Sequence, residues 1–373
     1  MTRLPGLSLV VAGLLSGGCG APQPSAPRVD APLTAAAWRA APGPDLPTPV
    51  ANNAVAAAVV GGRSWIFSFL GIGPGRDHRA ITLQAFALDV EAGRWERLPD
   101  VPGSVGRLAA TAQAIGEDVY LCGGYEVAAD GTETTSPTTL LYRHADRHFV
   151  RRADAPVAVD DAVSGVWRDR LIFLVSGWSA DRTVTTVQAY DPAADRWRMA
   201  TPIPGTPVFG HAGGIVNDTI VYCGGALMRP GETPKYAANA ECYRGDLDPA
   251  NPTTIEWRQI APHPGAPRYR AAAGPVRTAS ATGILFVGGT ANPYNYNGVG
   301  YDVRPAEPES AAWLYDVNAD RWVAGPRLDR PTMDHRGLVE ARGGWWTIGG
   351  FAAGQAVTAG VTALTVDGKE QDR

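Results

Sequence analysis

The chain has 373 residues, and its 33 Lys and Arg against 37 Asp and Glu leave a net charge of -4. This balance excludes a general nucleic-acid-binding protein, which carries a marked basic excess. The hydrophobic share of 45% excludes a chain that is disordered throughout. The 44 Gly and 31 Pro residues favour many short strands joined by turns over long helices.

The first residues have the pattern of an export signal. Arg3 precedes an apolar run at residues 7–15, which is too short to span a bilayer. The small residues 16–18 then lead into Cys19. This segment resembles a bacterial lipoprotein signal, whose cysteine is lipidated, although that family usually has Leu where this chain has Ser16.

The resemblance implies a signal peptide at residues 1–19 and a lipid anchor on Cys19, with ordinary signal cleavage nearby as the alternative. Residues 20–35 are rich in Ala, Pro and Ser, which is typical of a flexible tether. We therefore expect an exported protein, placed in the periplasm or on the outer membrane as a lipoprotein. Any membrane contact is expected only through the anchor.

One aromatic pattern recurs along the rest of the chain, with two residues spaced by seven. The copies are Leu88 with Trp95, Tyr142 with Phe149, Tyr190 with Trp197, and Tyr315 with Trp322. Tyr243 and Trp257 form a further copy that is stretched by an insert. Each copy is followed by a turn that contains Pro, an apolar strand, and a second strand that ends in a glycine pair.

The glycine pairs complete the repeat. They are Gly123-Gly124, Gly224-Gly225, Gly288-Gly289 and Gly349-Gly350, with degenerate copies at Ser176-Gly177 and Leu70-Gly71. This arrangement resembles kelch repeats, in which each unit is a four-stranded antiparallel sheet, with strands a to d, packed face to face with its neighbours around an axis. The resemblance implies an all-β, six-bladed kelch β-propeller over residues 36–373. Trp38 lies on a strand d that lacks a blade of its own, so we expect it to complete the last blade and close the ring.

The chain order of an antiparallel blade predicts where a binding site lies. The d–a connections and the b–c loops share one face, and this face collects polar residues at the starts of the a strands. The candidate ligand-binding residues there are Arg107, Asp161, His211, Arg268, Arg270 and Arg336, joined by Tyr294, Asn295, Tyr296 and Asn297 of one b–c loop. The catalytic candidates, if the protein is an enzyme, are Asp160, Asp334 and His335.

A mixed ring of Arg, Asp, His and Asn suits a small hydroxylated ligand. Arg binds carboxylates bidentately, Asp and Asn accept hydrogen bonds from hydroxyls, and Tyr can cover a sugar face. A scaffold role is the alternative for His211, Arg107 and Arg268, because kelch repeats often carry Arg and His at such positions to tie loops together. The function expected from the sequence is therefore binding of a sugar-like or peptide ligand on the d–a/b–c face.

Other functions stay open. The opening of the propeller is similar in style to exported kelch proteins of the sialic-acid mutarotase/epimerase type, which implies an isomerase with an acid and a base beside the anomeric centre. An interaction platform for an envelope protein is the non-enzymatic alternative. Copper chemistry like that of galactose oxidase is disfavoured because no Tyr-His dipeptide occurs, and hydrolysis is disfavoured because the turns do not match the Asp-box of sialidases.

Two of the four cysteines are placed where a disulfide could form. Cys223 and Cys242 fall on neighbouring strands b and c of one predicted blade, where an exported protein can form a disulfide, and two structural thiols are the alternative. No zinc motif of the HExxH or CxxC type is present. We expect no metal, no cofactor and a monomer.

Overall fold

The structure is a computed structural model that describes residues 37–367. This part of the chain is built from antiparallel sheets, with short 3-10 helices at His78–Ala80 and Ala353–Gln355. Within residues 37–367, no helix has the length and apolar character needed to cross a membrane. The predicted signal peptide, its Cys19 and the tether lie outside the described residues.

Six four-stranded sheets make up the described chain, each running from an innermost strand a to an outermost strand d. The first three sheets are Ala54–Val60, Arg63–Phe69, Ala85–Asp89 and Arg94–Arg97; Thr111–Ile115, Asp118–Cys122, Thr139–Arg143 and His148–Arg152; and Val163–Trp167, Leu171–Val175, Val187–Asp191 and Arg196–Ala200. The next three are Ala212–Val216, Thr219–Cys223, Cys242–Leu247 and Ile255–Ile260; Ala272–Arg277, Thr282–Val287, Ala311–Asp316 and Arg321–Arg327; and Val339–Ala341, Gly344–Ile348, Val361–Val366 and Trp38–Pro42.

The ring is closed by strands from both ends of the chain. Trp38–Pro42 pairs antiparallel with Val361–Val366, so that Trp38 lies opposite Val366. Each a strand contacts the a strands of its two neighbours, and Ala54–Val60 contacts Val339–Ala341. The fold is therefore a six-bladed β-propeller closed by its N-terminal strand, as the repeats predict.

The aromatic residues of the repeat fasten neighbouring blades. Trp95, Trp197 and Trp322 lie between sheets, and each donates its indole N–H to a backbone carbonyl of the connection that precedes its blade, at 2.7–2.9 Å. A large apolar ring with one polar edge suits this position, because the ring packs between sheets while the edge reaches backbone.

The glycine pairs form a second inter-blade contact. Gly124 N donates to Val159 O at 3.2 Å, across the boundary between the second and third blades. The same bond recurs from Gly71, Gly177, Gly225, Gly289 and Gly350 to Arg107, Val208, Arg268, Thr332 and Val50 respectively. A Cβ atom on Gly123 would lie 2.2 Å from Val159 O, and Gly123 has a φ of +67°. Both facts explain why this position needs glycine.

Short hairpins extend from the b–c loops over the d–a/b–c face. Tyr125–Val127 pairs with Glu133–Thr135, Trp178–Ser179 with Arg182–Thr183, and Phe351–Ala352 with Ala356–Val357. In the fourth blade, Ala226–Met228 lies between Tyr236–Ala238 and Val208–Phe209.

The cysteines of the fourth blade lie opposite each other. Cys223 ends strand b and Cys242 begins strand c, in register and with Cα atoms 4.1 Å apart. The two are joined by a disulfide, so the alternative of two free thiols is not what the structure contains. Cys122 is buried and free.

Candidate functional site

The d–a connections meet at the axis in a regular way. In each connection one residue pairs with its own b–c loop, as Asp160 does with Trp178, and the next residue has a left-handed backbone. These left-handed residues are Asn52, Ala109, Asp161, Gly210, Arg270 and Asp334, with φ between 51° and 70°.

The six residues form a closed hydrogen-bonded circle around the axis. The backbone N–H of each donates to the carbonyl of its counterpart in the preceding blade, as Arg270 N does to Gly210 O at 2.7 Å and Asp334 N to Arg270 O at 3.1 Å. Ala109 is the exception, because its N–H donates to the side-chain Oδ1 of Asn52 at 2.5 Å. The left-handed turn aims each N–H along the circle, and this circle places the side chains of Asp161, Arg270 and Asp334 on the axis.

Those side chains form a buried ion cluster, which we call the axial plug: Asp161, Arg270, Asp334 and Arg336. Arg270 donates from Nη2 to Asp161 Oδ2 at 2.6 Å and from Nη1 to Asp334 Oδ1 at 3.0 Å. Arg336 Nη1 donates to Asp161 Oδ1. All four side chains are at most 3% exposed.

The charges within the plug balance. Two guanidinium groups face two carboxyl groups, and Arg270 also lies over the rings of Tyr269 and Tyr294, 5.0 and 5.2 Å from their centroids. Burial opposes the charged form of Asp161, but Arg270 and Arg336 hold the pKa of Asp161 below its ordinary value. Burial raises the pKa of Asp334, which has only part of this support. Removing one partner from such a cluster typically costs about 3–5 kcal/mol.

A small crevice opens on the d–a/b–c face above the plug. Its volume is about 40 Å³. Its polar lining comes from the carboxyl groups of Glu133, Asp160 and Asp161, with Arg270 and the exposed Asn295. Its aromatic lining comprises Tyr125, Trp178, Phe209, Tyr236 and Tyr301. The rings brace one another, since Tyr236 lies 4.4 Å from Tyr301 and 5.4 Å from Phe209 by centroid.

Burial raises the pKa of two carboxyl groups of the crevice. Burial raises the pKa of Asp160 well above its ordinary value, and the neighbouring charge of Asp161 adds to the effect. Desolvation also raises the pKa of Glu133. Thr135 Oγ1 donates to Asp160 Oδ2 at 2.8 Å and fixes that carboxyl group. Burial thus favours the protonated form of Asp160, and in that form the carboxyl group can both donate and accept a hydrogen bond.

A larger cavity, the axial channel, lies on the other side of the plug. It has a volume of about 360 Å³ and is bounded by the six a strands. One end reaches the exposed a–b turn residues Arg168, Asp169 and Arg277, and the other ends at His211, His335 and Arg336. The plug therefore separates the channel from the crevice.

Several predicted site residues lie apart from the crevice and bond to nearby loops or to the neighbouring blade. Arg107 Nη1 donates to Gly123 O at 2.8 Å, and Arg268 Nη1 donates to Ala266 O at 2.8 Å. The His211 ring bonds to Val175 O, and the His335 ring bonds to Thr332 Oγ1, both at 2.9 Å. Burial lowers the pKa of His211 to about 4 and that of His335 to about 3, so both rings are neutral at pH 7.

The four predicted site residues in the b–c loop of the fifth blade have different surroundings. Tyr294 is fully buried beneath Arg270 and packs against Tyr269. Asn295 is exposed and lines the crevice. Tyr296 is half-buried, and Asn297 uses its carbonyl to accept from Arg76 Nη1 at 3.0 Å. Among the four, only Asn295 belongs to the crevice lining.

Most of the crevice walls are formed by residues that the repeat pattern does not predict. Glu133, Trp178 and Tyr301 come from b–c loops of three different blades, and none of them belongs to the repeat pattern. A usable signal exists: an aromatic residue directly follows the glycine pair at Tyr125, Trp178 and Phe351. That position pairs with the d–a connection, so an aromatic residue there is held beside the axis.

Comparison with known proteins gives partial sequence matches. No family model matches the chain. Kelch-like protein 15 of Mus musculus is 29% identical over 140 residues, which is 38% of this chain and 21% of that protein. Kelch-like protein terF of Aspergillus terreus is 25% identical over 190 residues, 49% of this chain and 40% of that protein. The match thus spans about a fifth to two fifths of the length of these relatives.

Comparison with solved structures covers nearly the whole propeller. The structure named "Structure of YjhT" has a TM-score of 0.69 and 17% identity, over 88% of this chain and 98% of that one. At this identity the likeness concerns the fold. Six repeated sheets make the described chain a β-propeller, and its phased aromatic and glycine positions are similar to the repeats of kelch-like proteins.

Proposed function

We propose that the propeller binds a small hydroxylated, sugar-like molecule at the crevice on the d–a/b–c face. One observation carries this proposal: the buried carboxyl group of Asp160, whose pKa burial raises, lines a crevice that also has five aromatic residues in its walls. A neutral acid that donates and accepts hydrogen bonds, beside apolar ring faces, matches the alternation of hydroxyl groups and C–H faces on a sugar.

The size of the crevice limits what enters it. A volume of about 40 Å³ is small beside the roughly 300–1,000 Å³ of typical small-molecule sites. One hydroxyl or hydroxymethyl group therefore enters, while the rest of the ligand lies across the mouth. Trp178, Tyr236 and Tyr301 are half-buried and offer their rings to that part of the ligand.

A second candidate is an isomerase of the mutarotase/epimerase type, favoured by the two carboxyl groups with raised pKa. Asp160 and Glu133 differ in exposure, since Asp160 is 3% exposed, whereas Glu133 lies at the exposed rim and loses only part of its water. Two acids with different environments can divide the roles of proton donor and acceptor. In this proposal Asp334 and His335 act as positioning residues, because one is in the plug and the other is bonded to Thr332.

A platform for a protein of the cell envelope is the other candidate, favoured by the aromatic rim. In that case one side chain of the partner would occupy the crevice. If the crevice binds such a protein, simple sugars should not raise the stability of the propeller.

Ligand binding is testable by thermal unfolding and calorimetry with a panel of neutral and acidic monosaccharides. A bound sugar at 100 times its Kd raises the stability by about 2.7 kcal/mol. Trp178→Ala is expected to weaken binding at least tenfold, because a stacking face is lost. Asp160→Asn keeps the shape of the side chain and a hydrogen-bond donor, so the variant is expected to retain most of the sugar binding. It removes the carboxyl group, so any isomerisation is expected to be lost.

The matched control is Glu126→Gln. Glu126 lies on the same hairpin, one position before Val127, which is the cross-strand partner of Glu133, so Glu126 and Glu133 face opposite sides. It is expected to bind like the parent protein. If no sugar stabilises the protein, or if Trp178→Ala binds as well as the parent, the crevice is not a sugar site.

We also propose that the protein is exported and anchored through Cys19. The lipoprotein-like N-terminus supports this, as does the Cys223–Cys242 disulfide, because disulfides persist in oxidising compartments. Cys19→Ser is expected to move the protein from the membrane fraction to the soluble fraction. A Cys19→Ser protein that stays in the membrane fraction would contradict the anchor.

A further inference from the structure

The carboxyl group of Asp160 has one oxygen that is used by the protein and one that is not. Thr135 Oγ1 donates to Asp160 Oδ2 at 2.8 Å. Oδ1 accepts no hydrogen bond from the described residues, and it is not among the unpartnered atoms that their surroundings enclose. The residue as a whole is 3% exposed and lines the crevice. Oδ1 is therefore an acceptor that a group inside the crevice can reach.

Glu133 brings a second carboxyl group to the same side. Thr135 and Glu133 are two residues apart on one strand of a hairpin, opposite Tyr125 and Val127. Side chains two residues apart on a strand share one face, about 7 Å apart. Thr135 contacts Asp160, so Glu133 lies next to that contact, at the rim of the crevice. Within residues 37–367, the Glu133 carboxyl group has no ion pair and no side-chain hydrogen bond.

The positive charges beside the crevice are already used. Among the described residues that line the crevice, Arg270 is the one base, and its guanidinium group bonds to the two aspartates of the plug. Arg336 bonds to one of the same aspartates. The plug thus balances its own charges, and Asp160 and Glu133 are left without a counter-charge. The raised pKa of both carboxyl groups agrees with this.

The aromatic walls suit an organic cation. Asp160 and Trp178 exchange two backbone hydrogen bonds of 2.9 Å, and the side chains of such a pair lie on the same side. The indole N–H of Trp178 donates to Ala180 O at 3.0 Å, so the ring has no donor left for the crevice, whereas its face attracts cations. An ammonium group already contacts one ring of these walls, since Lys235 Nζ lies 5.3 Å from the centroid of Tyr236. Rings disfavour a metal ion such as Ca²⁺, which needs about six to eight oxygen ligands.

We propose that the sugar-like ligand of the crevice is an amino sugar, whose protonated primary amine enters the crevice and pairs with Asp160 and Glu133 beside the Trp178 ring. This inference rests on the function proposed above, because it names the class of ligand for the same site. A primary ammonium group is similar in size to the hydroxyl group that the crevice admits, and it adds three donors and a positive charge. An acidic sugar would instead meet two carboxyl groups with no free cation beside them.

Calorimetric titration of the full-length protein with D-glucosamine and D-glucose tests this inference, at pH 6, where the amine is protonated. The two sugars differ in one group, an ammonium in place of a hydroxyl. D-glucosamine is expected to bind about tenfold more tightly or better, the effect of a hydrogen bond to a charged group. N-acetyl-D-glucosamine carries no charge and should bind no better than D-glucose. Equal affinities for D-glucosamine and D-glucose would overturn the inference and leave the sugar site standing, whereas no binding of either sugar would remove both.

Two variants of one hairpin locate the effect, because Glu133→Gln and Glu126→Gln remove the same charge from its opposite faces. Glu133→Gln should lower the ratio of the D-glucosamine to the D-glucose affinity about two- to fivefold, the effect of one exposed ion pair. Asp160→Asn should lower this ratio about tenfold, because its hydrogen bond to the amine is buried. Glu126→Gln should leave the ratio unchanged. Equal reductions in the Glu133→Gln and Glu126→Gln proteins would mean that the general negative charge of the face attracts the amine, and would refute the site.

A lysine side chain of a protein partner presents the same ammonium group, and a further probe separates it from an amino sugar. Nα-acetyl-L-lysine amide carries this amine without a sugar ring, and it is expected to bind at least about tenfold more weakly than D-glucosamine. If it binds as tightly as D-glucosamine, the crevice recognises the amine alone and the assignment to an amino sugar is wrong.

Discussion

At the scale of single residues, the protonation of Asp160 has a consequence for stability. Its pKa is raised in the folded protein above the ordinary value of 3.8. Between the unfolded and the folded pKa, the folded state therefore binds a proton that the unfolded state has released. The stability that Asp160 contributes is full below its unfolded pKa and is lost as the pH rises towards its folded pKa.

Asp160→Asn is thus expected to stabilise the protein at pH 7–8, on the order of 1–3 kcal/mol, because asparagine is neutral in both states. The gain should shrink as the pH falls towards 4. Urea unfolding at a series of pH values measures it. Asp181→Asn is the control, since the side chain of Asp181 is 80% exposed and this substitution should change the stability by no more than about 0.5 kcal/mol. A variant that is less stable than the parent at pH 8 would mean that Asp160 is ionised in the fold.

The ion pairs between individual residues of the plug could not be predicted from the sequence. It selected Asp161, Arg270 and Asp334 as polar residues at the starts of a strands, and the structure does bring them together. It did not show that they saturate one another, because Asp161 and Arg270 are 109 residues apart and meet only through ring closure. Pairing between distant carboxylates and guanidinium groups depends on blade positions that no local pattern encodes.

At the scale of elements, the glycine pair at the end of strand b sets the spacing between blades. Gly123 and Gly131 both have positive φ values, +67° and +84°. A Cβ on Gly123 would meet Val159 O at 2.2 Å, whereas a Cβ on Gly131 would meet nothing within 4 Å. The two positions therefore separate the cost of the backbone conformation from the cost of the inter-blade clash.

Gly131→Ala is expected to cost about 1–2 kcal/mol, the price of a left-handed residue with a side chain. Gly123→Ala should cost clearly more, because the third blade must also shift outward at Val159. Chemical denaturation of both variants gives the comparison. Equal losses in the two proteins would show that the close approach between blades has no energetic role.

Elements of the repeat were predictable because each copy carries the same local signal. Tyr190 and Trp197 face each other across strands c and d, with Trp197 bonded to Ala153 O. The b–c hairpins were not predicted, since their lengths and sequences differ from blade to blade. The crevice depends on these hairpins, so its aromatic walls at Trp178, Tyr236 and Tyr301 were beyond the reach of the repeat pattern.

At the scale of the whole molecule, stability depends on closing the ring. Five blades are each made from one continuous stretch of chain, but the sixth takes its outermost strand from Trp38–Pro42. Trp38 is 5% exposed and packs against Trp345, with ring centroids 5.3 Å apart. Because every blade buries its faces only against neighbours, loosening this one strand exposes the surface between the last blade and the fifth.

Trp38→Ala is therefore expected to destabilise the propeller by about 3–5 kcal/mol, the typical cost of deleting a buried tryptophan side chain. The loss should appear as one cooperative transition at lower denaturant, because the blades form a single ring rather than independent units. Circular dichroism and tryptophan fluorescence followed along the same urea series measure both points. Met199→Ala, at a side chain that is 48% exposed, is the control and should change the stability by no more than about 0.5 kcal/mol. Two separate transitions in the Trp38→Ala protein, with most blades unaffected, would show that ring closure stabilises only the last blade.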